Sequence, residues 1–181
     1  MKLRMKFRYD ARMIVIETER LALRRLGVED AEFIRELLTE PSFIKNIGDR
    51  GVKTNEDACR YILNGPMASY ERYGFGLYLV MLKETGAAIG ICGLLKRDNL
   101  VDVDIGFAFL PRYWGMGYAV ESASAVMEYG RKVVGLRRIV AVTAPHNEAS
   151  RKVLRKIGLR FERMIRMDED AEEIELFGPA D

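Results

Sequence analysis

The residues with the clearest chemical potential lie in a short turn that contains Gly115 and Gly117. A strand-like stretch ended by Pro111 precedes this turn, and a stretch with apolar residues at helical spacing follows it. A helix N-terminus preceded by glycines leaves backbone N–H groups unpaired, and the helix dipole favours negative charge there. The sequence therefore predicts an anion site at this turn, with phosphate as the expected anion.

Two better-known phosphate motifs do not fit the chain. The segment GMGYAV resembles a dinucleotide fingerprint, but Val120 takes the third small position and no acid ends the next strand. Residues 48–54 resemble a Walker loop but lack the adjacent Gly-Lys pair, and no strand precedes them. We expect residues 48–54 to form a plain loop.

Metal and thiol chemistry are not favoured by the side chains available. Cys59 and Cys92 are far apart and His146 is the single histidine, so the sequence predicts neither a disulfide framework nor a metal site. Cys92 lies in an apolar run and is expected to be a buried small hydrophobe. His146 has no orienting partner visible in the sequence, so neither an imidazole base nor a Cys–His nucleophile is favoured.

The turn is positioned by a strand before it and a helix after it. Residues 101–110 alternate strictly, with Val103 and Ile105 on one face and Asp104 and Gly106 on the other, which predicts a half-buried strand. The helix that follows has Val120, Ala123 and Met127 on one side. The next strand is too distant for a hairpin, so a crossover to a parallel neighbour is expected.

The other elements are read from period, caps and turn residues. Strands are predicted at 18–26, 75–82, 87–95 and 137–144, and a hairpin around an acidic turn is predicted to close the chain. Helices are predicted after Glu29 and from a Thr54–Asp57 capping box, with a break at Gly65-Pro66, a loop after Pro41 and a last helix ended by Gly158. The outline is an antiparallel meander that turns parallel around one β–loop–α unit.

Composition indicates one soluble globular domain. The chain has 181 residues, of which 49% are hydrophobic and 31% charged, with a net charge of +2. We predict a basic extension over residues 1–12, either a flexible tail or the product of an upstream start, and a single domain over 13–181. No apolar run is long enough for a membrane span or a signal-peptide core, so a cytoplasmic location is expected.

The charges are unevenly distributed along the sequence. Residues 131–166 contain eleven Lys or Arg against two acids, whereas residues 168–175 contain six acids and no base. The basic stretch could neutralise nucleotide phosphates or could form two solvated helix faces. The acidic stretch could attract a cationic acceptor, although a solvated hairpin turn explains it equally well.

Several motifs in order resemble the GNAT superfamily of acetyl-CoA-dependent N-acetyltransferases. Residues 112–117 (RYWGMG) fit its Arg/Gln-x-x-Gly-x-Gly/Ala loop. The segments TERLALR, DIGF, WGMGYAVE, NEAS and LRKIGLRF resemble the branch that acetylates the N-termini of ribosomal proteins. The resemblance spans Thr18 to Phe161 and implies an α+β fold, with a mostly antiparallel sheet, a parallel central pair and flanking helices.

This resemblance also implies a site for acetyl-CoA. The pyrophosphate is expected on the backbone of the turn, and the pantetheine arm is expected to lie along the central strand like an added strand. One strand amide could face the developing oxyanion. The cofactor-binding residues implied are Phe107, Ala108, Phe109, Arg112, Gly115, Met116, Gly117, Tyr118, Ala119, Asn147 and Lys152.

The catalytic residues implied are Ser150 and Asp104. Many members of the family protonate the departing thiolate with a tyrosine seven residues after the asparagine, but Leu154 stands there in this chain. Ser150 is then the candidate proton donor, and the alternative is a serine that satisfies backbone groups in the first helical turn. Asp104 aligns with a family glutamate and is the candidate base, acting through water, unless it is an ordinary surface carboxylate.

The function implied is direct transfer of acetyl from acetyl-CoA to a primary amine, with a protein N-terminal α-amine as the leading acceptor. A small amine such as a polyamine or an aminoglycoside is the alternative within the fold, and a non-catalytic acyl-CoA-binding module is the alternative outside enzymes. RNA binding by the basic segments lacks an aromatic signature and is not favoured as a sole function. A ribosomal protein is a possible partner, and a monomer or a homodimer is expected, with no membrane association.

Overall fold

The computed structural model describes residues 13–169 and 171–180, and the predicted basic extension lies outside this part. Within it, eight strands form a sheet in the order β1-β2-β3-β4-β5-β6-β8-β7. The strands are Ile14–Glu17, Leu21–Arg25, Leu77–Leu82, Ala88–Leu95, Val103–Phe109, Ile139–Thr143, Leu159–Ile165 and Ile174–Pro179, numbered β1 to β8. All neighbours are antiparallel except β5 and β6, which are parallel. The predicted mixed sheet with one parallel pair is confirmed.

The helices cover both faces of this sheet. They are α1 (Ala31–Thr39), α2 (Pro41–Ile47), α3 (Asn55–Ile62), α4 (Ala68–Tyr73), α5 (Tyr118–Lys132) and α6 (Glu148–Lys156). One buried cluster joins the sheet to α5 and α6, and a second joins it to α1, α2 and α3. Because both faces are covered, β4 carries a nearly continuous apolar sequence rather than an alternating one.

The parallel pair separates soon after it forms. β5 and β6 pair only at Val103–Ile139 and Asp104–Val140, after which β6 continues its pairing with β8. Along the rest of β5 the only strand neighbour among the described residues is β4, on the opposite side. A cleft therefore opens between the two strands beyond these pairs.

Some predicted boundaries differ from the observed ones. The predicted strand 18–26 is the second arm of a hairpin, because the short apolar run before it forms β1. The predicted loop after Pro41 begins with α2 instead, since proline is tolerated in the first helical turn and Phe43 is buried against α1. Gly65-Pro66 does not break the helix, because a π-helical turn (Leu63–Met67) joins α3 to α4.

The central strand also differs in how it is buried. Val101 lies before β5 and is 93% exposed, whereas Asp104 is 1% exposed. The prediction of a half-buried strand was therefore wrong, because side chains from both sheet faces cover β5 at its start. The capping box is confirmed by the mutual hydrogen bonds of Thr54 and Asp57, at 3.1 and 2.8 Å.

Candidate functional site

The turn before α5 presents a row of open backbone amides. Gly115 and Gly117 have φ values of 77° and 84°, the left-handed region that glycine adopts without steric cost. No side chain caps α5, and among the described residues the N–H groups of residues 115–120 have no acceptor. The turn therefore forms a backbone cradle at the N-terminus of a 15-residue helix, at the position where the sequence predicts an anion.

A clamp formed by Arg20 and Glu121 holds this cradle in place from outside. The Glu121 carboxylate accepts hydrogen bonds from the Thr18 hydroxyl at 2.6 Å and from the Arg20 Nε at 2.7 Å. Arg20 also donates to the carbonyl of Met116 at 3.0 Å and lies over the ring of Tyr118. Partial burial raises the pKa of Glu121, but the hydrogen bonds from Thr18 and Arg20 together have the larger effect, so the pKa is lowered. The side chains of Thr18, Arg20 and Glu121 therefore hold the turn in place, and its backbone amides make none of these contacts.

The cleft beside β5 has a volume of about 760 Å³. Residues 104–108 of β5 line one wall, and residues 142–144 with Asn147 line the other. Phe107 and Ala108 are among the residues that line the cleft. Phe109 does not line it, because its side chain is buried in the core, although its carbonyl accepts a hydrogen bond from Trp114 Nε1 at 2.8 Å.

Asn147 and Ser150 meet on the cleft wall opposite β5. Asn147 is the N-cap of α6, and its side-chain oxygen accepts from the Ser150 N–H at 3.1 Å. The amide nitrogen of Asn147 and the hydroxyl of Ser150 have no partner among the described residues. Asn147 therefore caps α6, and the half-buried hydroxyl of Ser150 makes no hydrogen bond to the backbone of the first helical turn.

Asp104 lies buried at the base of the cleft, where β5 and β6 part. Arg97 Nε donates to both of its carboxylate oxygens, at 2.9 and 3.1 Å. Burial raises the pKa of Asp104 above its ordinary value, and the attraction of Arg97 opposes this shift without cancelling it. The residue is thus neither a surface carboxylate nor isolated, and a raised pKa suits a group that must accept a proton.

The remaining predicted residues occupy different surroundings. The Arg112 guanidinium pairs with Glu36 of α1 at 2.6 Å, on the protein surface, and Lys152 is exposed on α6. His146 lines the cleft, and its Nε2 lies 3.2 Å from the Lys45 carbonyl of α2. Burial raises the pKa of Cys92 to about 12, so this thiol is inert at neutral pH.

Two contributors were missed by sequence reasoning. Arg20 lies within the motif TERLALR, but only the fold shows that it reaches the turn at residues 115–117. Arg97 lies between the strands predicted at 87–95 and 101–110, and nothing in its spacing links it to Asp104 seven residues later. Both arginines act on other protein groups, which leaves no signal in a local sequence pattern.

The open amides before α5, the early separation of β5 from β6, and a cleft with a buried carboxylate and an open hydroxyl are features that suit an acyl-CoA N-acyltransferase. Comparisons with known proteins agree with this geometry. The family described as "Acetyltransferase (GNAT) domain" matches residues 20–160, and the chain belongs to this family. It is accordingly an acetyl-CoA-dependent N-acetyltransferase.

Individual relatives are similar over most of the chain. The uncharacterized N-acetyltransferase YnaD of Bacillus subtilis is 33% identical over 147 residues, which are 81% of this chain and 83% of that protein. A GNAT-family acetyltransferase from Bacillus anthracis superposes with a TM-score of 0.75 at 28% identity, covering 92% and 97% of the two chains. RimL, a ribosomal L7/L12 alpha-N-protein acetyltransferase solved with coenzyme A, has the same fold, with a TM-score of 0.77 at 18% identity over 92% and 97%.

The helices can be compared with the length and hydropathy of a membrane span. Within residues 13–169 and 171–180, no helix is both long and apolar enough to cross a bilayer.

Of the acids predicted to form the closing turn, Asp170 lies outside the described residues. Glu175 pairs with Arg151 at 3.0 Å and Glu173 with Arg166 at 3.5 Å, and Glu172 lines the cleft.

Proposed function

We propose that this enzyme transfers acetyl from acetyl-CoA to a protein N-terminal α-amine, with Ser150 and Asp104 as its catalytic residues. The observation that carries the proposal is one continuous cleft that contains both groups and borders the free side of β5. The ribosomal-protein acetyltransferase RimL has the same fold, and the sequence motifs resemble that branch. A small amine is the alternative acceptor.

The chain's own residues fit the donor. The open amides of residues 115–119 suit a pyrophosphate, and at Gly117 any added Cβ would lie 3.3 Å from the Arg20 guanidinium, next to the cradle. Lys152 offers surface counter-charge, and Arg112 can do so if it leaves its ion pair with Glu36. The Asn147 amide nitrogen and the backbone of residues 107 and 108 at the open edge of β5 can pair with an extended arm in the manner of an added strand, whereas the Phe109 carbonyl is already bonded to Trp114.

Acetyl-CoA supplies an activated acetyl thioester, and the protein moves the protons. Asp104 takes the proton that the amine loses as the new C–N bond forms, acting through a water molecule. A strand amide of β5 stabilises the negative oxygen that develops on the acetyl carbonyl. Ser150 donates a proton to the sulfur as the C–S bond breaks and regains one from solvent, so that the products are an N-acetyl amide and free CoA thiol.

An acceptor panel tests this proposal through the release of free thiol. Peptides with a free N-terminus and no lysine should be acetylated, and the same peptides with a blocked N-terminus should not. Turnover confined to a polyamine or an aminoglycoside would contradict the peptide assignment. Binding of acetyl-CoA without turnover of any amine would indicate a binding module.

A further inference from the structure

The acceptor end of the cleft has a helical wall with unpaired positive charge. Lys45 of α2, Arg50 of the following loop and Arg72 of α4 line this wall. None of these three side chains is in an ion pair with a described residue. The other two cations that line the cleft are already bound, since Lys96 donates to the carbonyls of residues 100 and 101 and Arg97 holds Asp104.

Two hairpin turns that line the cleft carry negative charge. Asp98, in the turn between β4 and β5, and Glu172, in the turn between β7 and β8, line the cleft without a basic partner in the described part of the chain. Asn99 donates to the Met167 carbonyl at 2.9 Å, which joins the two turns. Because Asp104 is paired with Arg97, the unpaired acids of the cleft lie in the hairpin turns and its unpaired cations lie on the helical side.

The basic wall also has the groups needed to orient an anion. Burial raises the pKa of Tyr61, although nearby Arg50 and Arg97 oppose the shift, so this hydroxyl stays a neutral donor. Arg72 lies against the ring of Tyr73, with its guanidinium carbon 5.1 Å from the ring centroid. The π-helical turn Leu63–Met67 lines the same wall, and such turns are frequent at functional sites.

From this division of charge we propose that the acceptor is a primary amine that carries a carboxylate close to its amino group, held by Arg50 and Arg72. Guanidinium groups bind carboxylates as planar forks, which fixes the orientation of the ligand as well as attracting it. The amine then faces Asp98, Glu172 and Asp104. This inference rests on the proposed acetyl transfer and adds the acceptor's class: a peptide N-terminus followed by an acidic residue, or a free amino acid.

A polyamine does not suit this arrangement. Its second and third ammonium groups would approach Lys45, Arg50 and Arg72, whose positive charges no described acid neutralises. Attraction by the acidic turn alone would favour such a polycation, but Glu173 of that turn and Glu175 in β8 are already engaged by arginines. The unpaired cations therefore favour an acceptor that carries negative charge over a polycation.

Matched acceptors separate these possibilities. We would compare three tetrapeptide amides that differ only at the second residue, which is glutamate, glutamine or lysine, together with free serine. The glutamate peptide should exceed the glutamine peptide by about tenfold in kcat/KM, with the lysine peptide lower still. The difference should shrink at high salt, because exposed charges are screened. Acetylation of free serine but not of the glutamate peptide would assign the carboxylate to an amino acid.

Variants locate the selectivity. Arg50→Gln and Arg72→Gln should each reduce the preference, and together they should abolish it while the KM for acetyl-CoA stays unchanged. Lys53→Gln is the matched control, because it removes one exposed charge from the same loop without altering the cleft lining. Equal rates for all three peptides, or a preference that survives the double variant, would overturn the inference.

A binding measurement keeps this result separate from the test of acetyl transfer. Calorimetric titration of the three peptides into the protein saturated with CoA reports acceptor preference without any turnover. Charge preference in binding but no thiol release would refute the proposed activity and support the acceptor class. Thiol release with no charge preference in either measurement would support the activity and refute the acceptor class.

Discussion

Replacing Gly117 with valine should abolish donor binding while the chain remains folded. Gly117 has φ = 84° and is the N-cap of α5, at the centre of the open amides. Valine is β-branched and strongly disfavoured at such angles, so the backbone must rotate. Its Cβ would also lie 3.3 Å from the Arg20 guanidinium, which is tighter than ordinary packing. Rotation of this residue redirects the amides on both sides of it.

The expected costs differ in size. A residue held in a disfavoured backbone region costs about 1–3 kcal/mol, against a total stability of roughly 5–15 kcal/mol for a domain. In a chain of this length that corresponds to a fall in Tm of roughly 2–12 °C. Each lost hydrogen bond to a charged phosphate costs about 1.5–3 kcal/mol, so losing two weakens donor binding by a factor of about 10² to 10⁴.

Calorimetry with acetyl-CoA and thermal unfolding measure the two effects separately. Gly86→Val is the matched control, because Gly86 has φ = 71° in the turn between β3 and β4 and no heavy atom within 4 Å of an added Cβ. It should show a similar fall in Tm with unchanged donor affinity. Wild-type donor affinity in the Gly117→Val protein would refute the assignment of the cradle to the donor.

Two further substitutions test the catalytic residues. Ser150→Ala should slow thiol release by about 10²-fold or more, measured in single turnover, while the Kd for acetyl-CoA stays constant, and an unchanged rate removes the serine from the mechanism. Because Asp104 must be ionised to accept a proton and its pKa is raised, activity should fall as the pH drops through a value above the ordinary aspartate range of about 4. Asp104→Asn should eliminate this limb of the pH–rate profile, whereas Asp102→Asn, outside the cleft, should keep it.

Elements with a strong local pattern were predictable from the sequence. The glycine turn, the Thr54 capping box and Gly158 at the end of α6 depend on nearest neighbours, and each lies where the sequence places it. The antiparallel pairing of β3, β4 and β5 followed from short turns, and the parallel position of β6 followed from one long crossover, whereas the place of β8 between β6 and β7 was not predicted. In these segments, local preference and the final fold favour the same conformation.

Interactions between distant segments were not predictable. The bond between Arg20 and Glu121 joins residues 101 positions apart, and the separation of β5 from β6 depends on the pairing of β6 with β8. The segment after Pro41 has little helical periodicity of its own, so the burial of Phe43 decides its conformation. The side chains at the acceptor end come from three separate loops and helices, which only the folded chain brings together.

Because β5 and β6 separate early, the stability of the folded enzyme should depend on the concentration of acetyl-CoA. In the proposed binding mode, acetyl-CoA lies along the open edge of β5 and contributes backbone pairing as a strand of the protein would. Binding to the folded state alone adds about 2.7 kcal/mol of stability when the ligand is present at a hundred times its Kd. The folded fraction of the enzyme should therefore rise and fall with the concentration of acetyl-CoA. A low concentration should shorten the lifetime of the enzyme.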